Sequence, residues 1–207
     1  MEVLFATNNP AKIKIYANKL KENGVNVKSL LDLNINSEIE ENGENSIENA
    51  IIKAKGYYEF AKIPTIGMDN SLFIEGIADF EQPGTHVRRI NGKRLTDTEM
   101  IEYYTGLVKK YKKNLKAKWV YGMAIYNGEK IQTFSWSKGD FYFVENPSPI
   151  LNEGYPLDSI SILPENGKYF VDLTREEKDK YKNKGSKDSE VIKFILKSLN
   201  KKMDNEL

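Results

Sequence analysis

The chain opens on an unbroken apolar run, Val3 to Ala6, which stops at the polar stretch Thr7-Asn8-Asn9-Pro10. That pattern predicts a buried strand entering a turn. Ile13, Tyr16, Ala17 and Leu20 then recur at i, i+3, i+4 and i+7, the stripe of an amphipathic helix, and Asn23-Gly24 supplies its stop. After the acidic stretch Glu38 to Glu44, Asn45 with Glu48 resembles a capping arrangement for a second helix. Its inward face is expected from Ile47, Ala50, Ile51, Ala54, Tyr58 and Ala61, and Pro64 ends it. Thr65-Ile66 and Leu72 to Ile74 predict two short strand pieces, broken by the polar insertion Gly67-Met68-Asp69-Asn70-Ser71.

Thr96 with Glu99 forms a capping box ahead of Met100, Tyr103, Tyr104, Leu107, Val108 and Tyr111, which keep helical period. From Lys116 the period changes to two, with Ala117, Trp119, Tyr121, Met123 and Ile125 alternating. Asn127-Gly128 turns the chain back into Ile131 to Trp136, so an antiparallel pair is expected. Phe141 to Val144 predicts another strand, and Pro147, Pro149, Gly154 and Pro156 mark an irregular loop. Thr174 with Glu177 caps a short helix, and Ser186 opens a last one with Val191, Ile192, Ile195 and Leu199 inward. No repeat, low-complexity block or linker breaks the pattern, so residues 1–207 read as a single α/β domain. Its helices should cover a mixed, largely antiparallel, twisted sheet.

Composition narrows the partners. With 31 basic and 30 acidic residues the formal charge is +1, which gives no net field to attract nucleic acid or an anionic membrane. Lys109, Lys110, Lys112, Lys113, Lys116 and Lys118 cluster, but such a run in a neutral protein is usually a solvated helix end. The absence of cysteine removes disulfides, thiol catalysis and cysteine-held zinc, and fits a cytoplasmic setting. The start, MEVLFATNNPAK, does not read as a signal peptide, and no apolar run is long enough to span a bilayer. His86 stands as the sole histidine, so no histidine dyad or metal triad can be built.

Polar islands interrupt otherwise regular segments. Thr7, Asn8, Asn9 and Lys12 sit at a strand-to-helix junction where amides and an ammonium can hold a triphosphate, or where an Asx turn simply caps the helix. Glu38, Glu40, Glu41 and Glu44, with Asp69, offer hard oxygen ligands for magnesium, or a solvated acidic surface. Tyr155 can stack on a base, and Asp158, Asn183 and Lys184 can bond to a base or ribose; a packed tyrosine on a helix surface is the alternative. Arg89 is the better phosphate or structural candidate in the loop that holds His86.

Taken in order, the islands resemble the inosine-triphosphate pyrophosphatase family over nearly the whole chain. FATNNPAK is similar to its phosphate loop, EENGENSIENAIIKAKG to its metal-binding glutamate and E-N-A-x-x-K-A helix, and PTIGMDNSL to its P-x-x-A-D-D-S-G-L. PGTHVRR stands where that family has P-G-x-x-S-A-R, and LTREEK where it has L-x-x-x-E-K. The resemblance implies an elongated fold of two lobes with the nucleotide cleft between them, a homodimer, and Mg²⁺-dependent cleavage of ITP, dITP or XTP to monophosphate and pyrophosphate. It implies Asp69 as general base and metal-proximal group, Glu40 or Glu41 as metal ligands, and Lys12 and Lys178 as phosphate contacts, with Asn70 beside them. Met68 replaces the first aspartate of the pair, and Lys182-Asn183-Lys184-Gly185 replaces the base-reading Ser-His-Arg-Gly. Those departures leave open a different modified nucleotide as substrate, or a nucleotide-binding protein that has lost turnover.

Overall fold

The computed structural model describes residues 1–7, 9–184 and 186–200, with the side chains of Pro10, Ala11 and Lys182 excepted. Strand β1 (Glu2–Ala6) alternates its side chains between two clusters. Val3 and Phe5 enter one core and Leu4 and Ala6 another. A strand covered on both faces has to be apolar throughout, which is why the opening run shows no period of two. Helix α1 (Pro10–Glu22) lays Tyr16 against Phe5, their rings stacked 6.2 Å apart.

Strand β2 (Asn26–Lys28) is too short to leave a sequence pattern, and it pairs parallel with β1. Helix α2 (Ser46–Ala61) begins where the Asn45 side chain accepts from the amides of Ile47 and Glu48. Its sheet-facing residues differ from expectation. Ser46, Asn49, Ala50, Ala54 and Tyr57 are buried, whereas Tyr58 sits half-buried against the Tyr126 ring. The small face has a purpose. A Cβ on Gly67 would lie 2.0 Å from the Ala50 carbonyl oxygen, and one on Gly122 would lie 2.4 Å from the Ser46 carbonyl carbon. Helix backbone therefore rests directly on strand backbone, a spacing that glycine permits.

Strand β3 (Thr65–Ile74) is continuous, so the expected polar break is absent. Its parallel pairing with β1 runs from Leu4 opposite Thr65 to Ala6 opposite Gly67. Beyond it come the two-residue strands β4 (Arg89–Ile90) and β5 (Lys93–Arg94), paired antiparallel. Helix α3 (Asp97–Tyr111) carries the expected Thr96–Glu99 capping box. Strands β6 (Leu115–Tyr126) and β7 (Ile131–Phe143) follow, joined by a turn too short for anything but an antiparallel return. The two strand pieces expected between Ile131 and Val144 are thus one element. Strand β8 (Ser161–Ile162) pairs antiparallel with β7. Helix α4 (Arg175–Asn183) carries the expected Thr174–Glu177 capping box, and α5 (Asp188–Ser198) starts later than Ser186. The sheet is mixed, in the order β2-β1-β3-β6-β7-β8.

The chain divides into two compact units, Met1–Asn70 with Tyr121–Trp136 and Lys187–Leu207, and Ser71–Val120 with Ser137–Ser186. In the first, β1, β3, β6 and β7 bury Phe5, Ile66, Met68, Met123 and Trp136 with Val191, Ile195 and Leu199 of the carboxy-terminal segment. In the second, Leu72, Ile74, Leu115, Phe141 and Phe143 meet Met100, Tyr104 and Leu107 of α3. Each such fully buried side chain stabilises its unit by roughly 1.5–3 kcal/mol. At the end of β3 the Gln82 side chain stands in for a strand: its amide donates to the Ile74 carbonyl at 2.7 Å and accepts from the Ile74 N–H at 3.0 Å. No helix is long and apolar enough to cross a membrane among the described residues.

Candidate active site

The alternation of β3 sends Met68 and Asp69 to opposite faces of the sheet. Met68 is 3% exposed in the apolar core of the first unit. Asp69 faces α2, where Asn49 Nδ2 donates to its Oδ2 at 2.9 Å and Lys53 Nζ stands 3.4 Å from its Oδ1. Asn49, Lys53 and Tyr57 follow at i, i+4 and i+8 of α2, so one helix face delivers them together. Lys53 also reaches Glu41 Oε2 at 2.6 Å. All four glutamates of the acidic stretch are exposed, and of them Glu41 is the one whose carboxylate reaches the cluster, through Lys53.

The phosphate-loop candidates border the same cluster. Thr7 Oγ1 accepts from the Asn9 amide at 3.1 Å, the start of the turn that leads into α1. Lys12 Nζ donates to Asn70 Oδ1 at 3.1 Å. Burial holds Lys12 below the usual lysine range, and the neighbouring Lys53 charge adds to this, while Asp69 and Glu41 oppose it. An anion placed here would relieve both costs. A cavity of about 480 Å³, lined by Thr7, Asn9, Glu41, Lys53 and Tyr57 among others, gives it room. Asn8 lies outside the described residues.

The second unit holds the remaining candidates. Asp158 accepts from Asn152 Nδ2 at 2.9 Å, and burial pushes its carboxyl up against the opposing pull of that bond and the Lys178 charge. Tyr155, beside it in the chain, is 67% exposed. Lys184 is ion-paired with Glu165, and Asn183 is exposed at the end of α4. Arg89 is exposed on β4. Its neighbour Arg88, which the sequence does not single out, donates to Asp97 Oδ1 at 2.7 Å and to the Gly154 carbonyl at 3.5 Å. Asp97 Oδ2 accepts from the Gly154 N–H at 2.8 Å. These bonds fasten the loop that presents Tyr155.

A model of the Ham1 family matches residues 3–190. The chain belongs to the Ham1 family. It is 30% identical to a protein of Thermoanaerobacter sp. (strain X514) named dITP/XTP pyrophosphatase, covering 98% of this chain and 100% of that one. A Bacillus subtilis protein of the same name is 29% identical over 94% of this chain and 96% of its own. Among solved Ham1 proteins, that of Coxiella burnetii superposes with a TM-score of 0.76 at 21% identity, over 95% of this chain and 99% of that one. The Staphylococcus aureus Ham1 protein gives 0.74 at 19%, over 96% and 100%. These structures share the α/β fold described above.

Asn49, Lys53 and Tyr57 were absent from the candidates drawn from sequence, although their helical spacing was visible there. Among the described residues no cluster of three or more metal-binding side chains surrounds a common point. Glu41 and Asp69 both face the Lys53 ammonium, at 2.6 and 3.4 Å. Two carboxylates suit a hard divalent ion that takes its other ligands from phosphate and water.

Proposed function

We propose that this Ham1 protein is a nucleoside triphosphate pyrophosphatase that hydrolyses inosine- and xanthosine-type purine triphosphates (ITP, dITP, XTP) to monophosphate and pyrophosphate. Relatives bearing the name dITP/XTP pyrophosphatase support the activity. The observation that carries it is the convergence of Lys12, Lys53, Glu41 and Asp69 beside a cavity opening on Thr7 and Asn9.

In this reading Thr7, Asn8, Asn9 and Lys12 take the triphosphate, Asn70 orients Lys12, and Lys178 and Arg89 add charge to the phosphates. Asp69, held by Asn49, accepts a proton as water oxygen bonds to the α phosphorus and the bond from that phosphorus to the bridging oxygen breaks. Lysines so placed offset the negative charge on the departing pyrophosphate. Glu41 and Asp69, with Glu40 close in the chain, would hold Mg²⁺, which supplies Lewis-acid neutralisation of phosphate oxygens when bound. Tyr155, Asp158, Asn183 and Lys184 are the proposed base-facing set. Burial of Asp158 suits a carboxylate meant to accept from a purine N–H, and the Lys184 ammonium suits a keto oxygen, which adenine lacks. A cytoplasmic setting fits the cysteine-free composition, and a homodimer rests on the resemblance alone.

The test is pyrophosphate release from ITP, dITP, XTP, GTP and ATP with Mg²⁺, for wild type and Asp69→Asn. Wild type should prefer the keto-purines, and Asp69→Asn should lose turnover while still binding nucleotide. Nucleotide binding without product in the wild type would instead favour a retired binding protein, the reading that Met68 keeps alive. Wild-type rates in Asp69→Asn would remove Asp69 as the base.

A further inference from the structure

Asn49 is 2% exposed, and both ends of its side-chain amide are engaged. Oδ1 accepts from the Gly43 N–H at 2.8 Å, and Nδ2 donates to Asp69 Oδ2 at 2.9 Å. These partners fix the amide orientation, because a backbone N–H can only donate and a carboxylate only accept. The approach to Gly43 is close. A Cβ there would meet Asn49 Oδ1 at 2.7 Å, Glu48 Cβ at 2.7 Å and the Asn49 nitrogen at 2.8 Å. Glu41 lies just before Gly43 in the chain, and its carboxylate and that of Asp69 face the same Lys53 ammonium.

From this we infer that Asn49 is a positioning residue that sets the spacing of the Glu41 and Asp69 carboxylates. It grips Asp69 directly and Glu41 through the loop backbone at Gly43. Lys53, one turn further along α2, rides on the same helix, so one buried amide indexes three charged groups. The side chain has to be neutral, with a donor at one end and an acceptor at the other. Aspartate would keep the acceptor for Gly43 but set a second negative charge against Asp69. Alanine would remove both arms and leave a partly buried carboxylate oxygen without that donor. This role rests on the functional reading of Asp69 and Glu41 given above.

Groups that orient metal-binding or catalytic carboxylates through hydrogen bonds typically cost about 10–100-fold in activity or metal affinity when removed. The experiment compares wild type, Asn49→Ala and Asn49→Asp with ITP as substrate. It measures kcat and KM, the Mg²⁺ concentration for half-maximal rate, and amide hydrogen exchange at Gly43 in metal-free protein. In Asn49→Ala, kcat should fall about 10–100-fold, KM should change little, the Mg²⁺ requirement should rise, and Gly43 exchange should accelerate. In Asn49→Asp, exchange should stay near wild type, because the acceptor remains, while kcat falls and the Mg²⁺ requirement moves as in Asn49→Ala.

A folded Asn49→Ala protein with wild-type kcat and Mg²⁺ requirement would overturn the role, and so would unchanged Gly43 exchange. Should Asn49→Ala fail to fold, the near-isosteric Asn49→Asp decides: wild-type kcat there refutes the Asp69 arm. A merely structural asparagine would lower the melting temperature without separating kcat from KM. Absence of pyrophosphate release from the wild type would instead bring down the functional reading itself.

Discussion

Replacing Gly122 by alanine tests whether the contact of α2 with the sheet is what assembles the site. The new Cβ would sit 2.4 Å from the Ser46 carbonyl carbon, 2.5 Å from its oxygen and 2.6 Å from the Ile47 nitrogen. Relaxed carbon–oxygen contacts start near ~3.3 Å, so helix and strand must separate by on the order of 1 Å. All three obstructing atoms are backbone, so no side chain can swing aside. Overpacking of this kind costs about 1–3 kcal/mol, and more where the backbone is rigid. In a protein of this size that lowers the melting temperature by roughly 2–12 °C. Ser46 and Ile47 start the helix that carries Asn49 and Lys53, and misplacement by about 1 Å can cost about 100-fold in rate. Gly106→Ala is the control: Gly106 is exposed inside α3, with nothing within 4 Å of the added carbon. It should gain about 0.5–1 kcal/mol from helix propensity. Calorimetry and pyrophosphate release on both variants make the assay. A Gly122→Ala protein with wild-type melting temperature and rate would refute the claim of direct backbone contact.

Two further outcomes follow from the second unit. Hydrogen bonds from Lys93 and from Thr96 hold Glu99 well below the usual carboxylate range, at about 2. A carboxyl lowered on folding stabilises above its ordinary pKa, and that contribution fades as pH falls from about 4.5 toward 2. Glu99→Gln should therefore flatten the acid side of the stability–pH curve between those values in thermal melts, and an unchanged curve would count against the Lys93 and Thr96 bonds to the carboxylate as its source. Arg88→Ala should loosen the Gly154 loop, raising KM for ITP several-fold while leaving kcat within about threefold, since a loop tether acts mainly on binding; equal loss in both would place Arg88 in the chemistry.

Much of the α/β plan was legible because period and caps agree. Asn45, Thr96 and Thr174 each cap the helix that follows them. Where the reading failed, polar residues served the site rather than a turn. Gly67 to Ser71 looked like an interruption, yet Gly67 admits the α2 backbone, Asp69 meets Asn49 and Lys53, and Asn70 takes Lys12. Asp69 and Asn70 are consecutive in the strand, so its polar positions do not keep the period of two by which a strand is read. Tyr57 takes the inward place expected of Tyr58 because the buried face runs through Ser46, Asn49, Ala50, Ala54 and Tyr57, one position off the face the apolar residues suggest. Asp69 could be chosen from sequence as a lone carboxylate in an apolar run. Asn49 stood within the E-N-A-x-x-K-A resemblance, but its role could not be read there, since nothing in a local pattern shows that a buried amide joins two distant segments.

The Gln82 side chain that closes the end of β3 bears on how the protein behaves in a crowded solution. Extended backbone with open donors and acceptors is an invitation to any passing strand, and such edges seed aggregation. By satisfying both polar groups of Ile74 with one amide, the chain withholds that template from its neighbours.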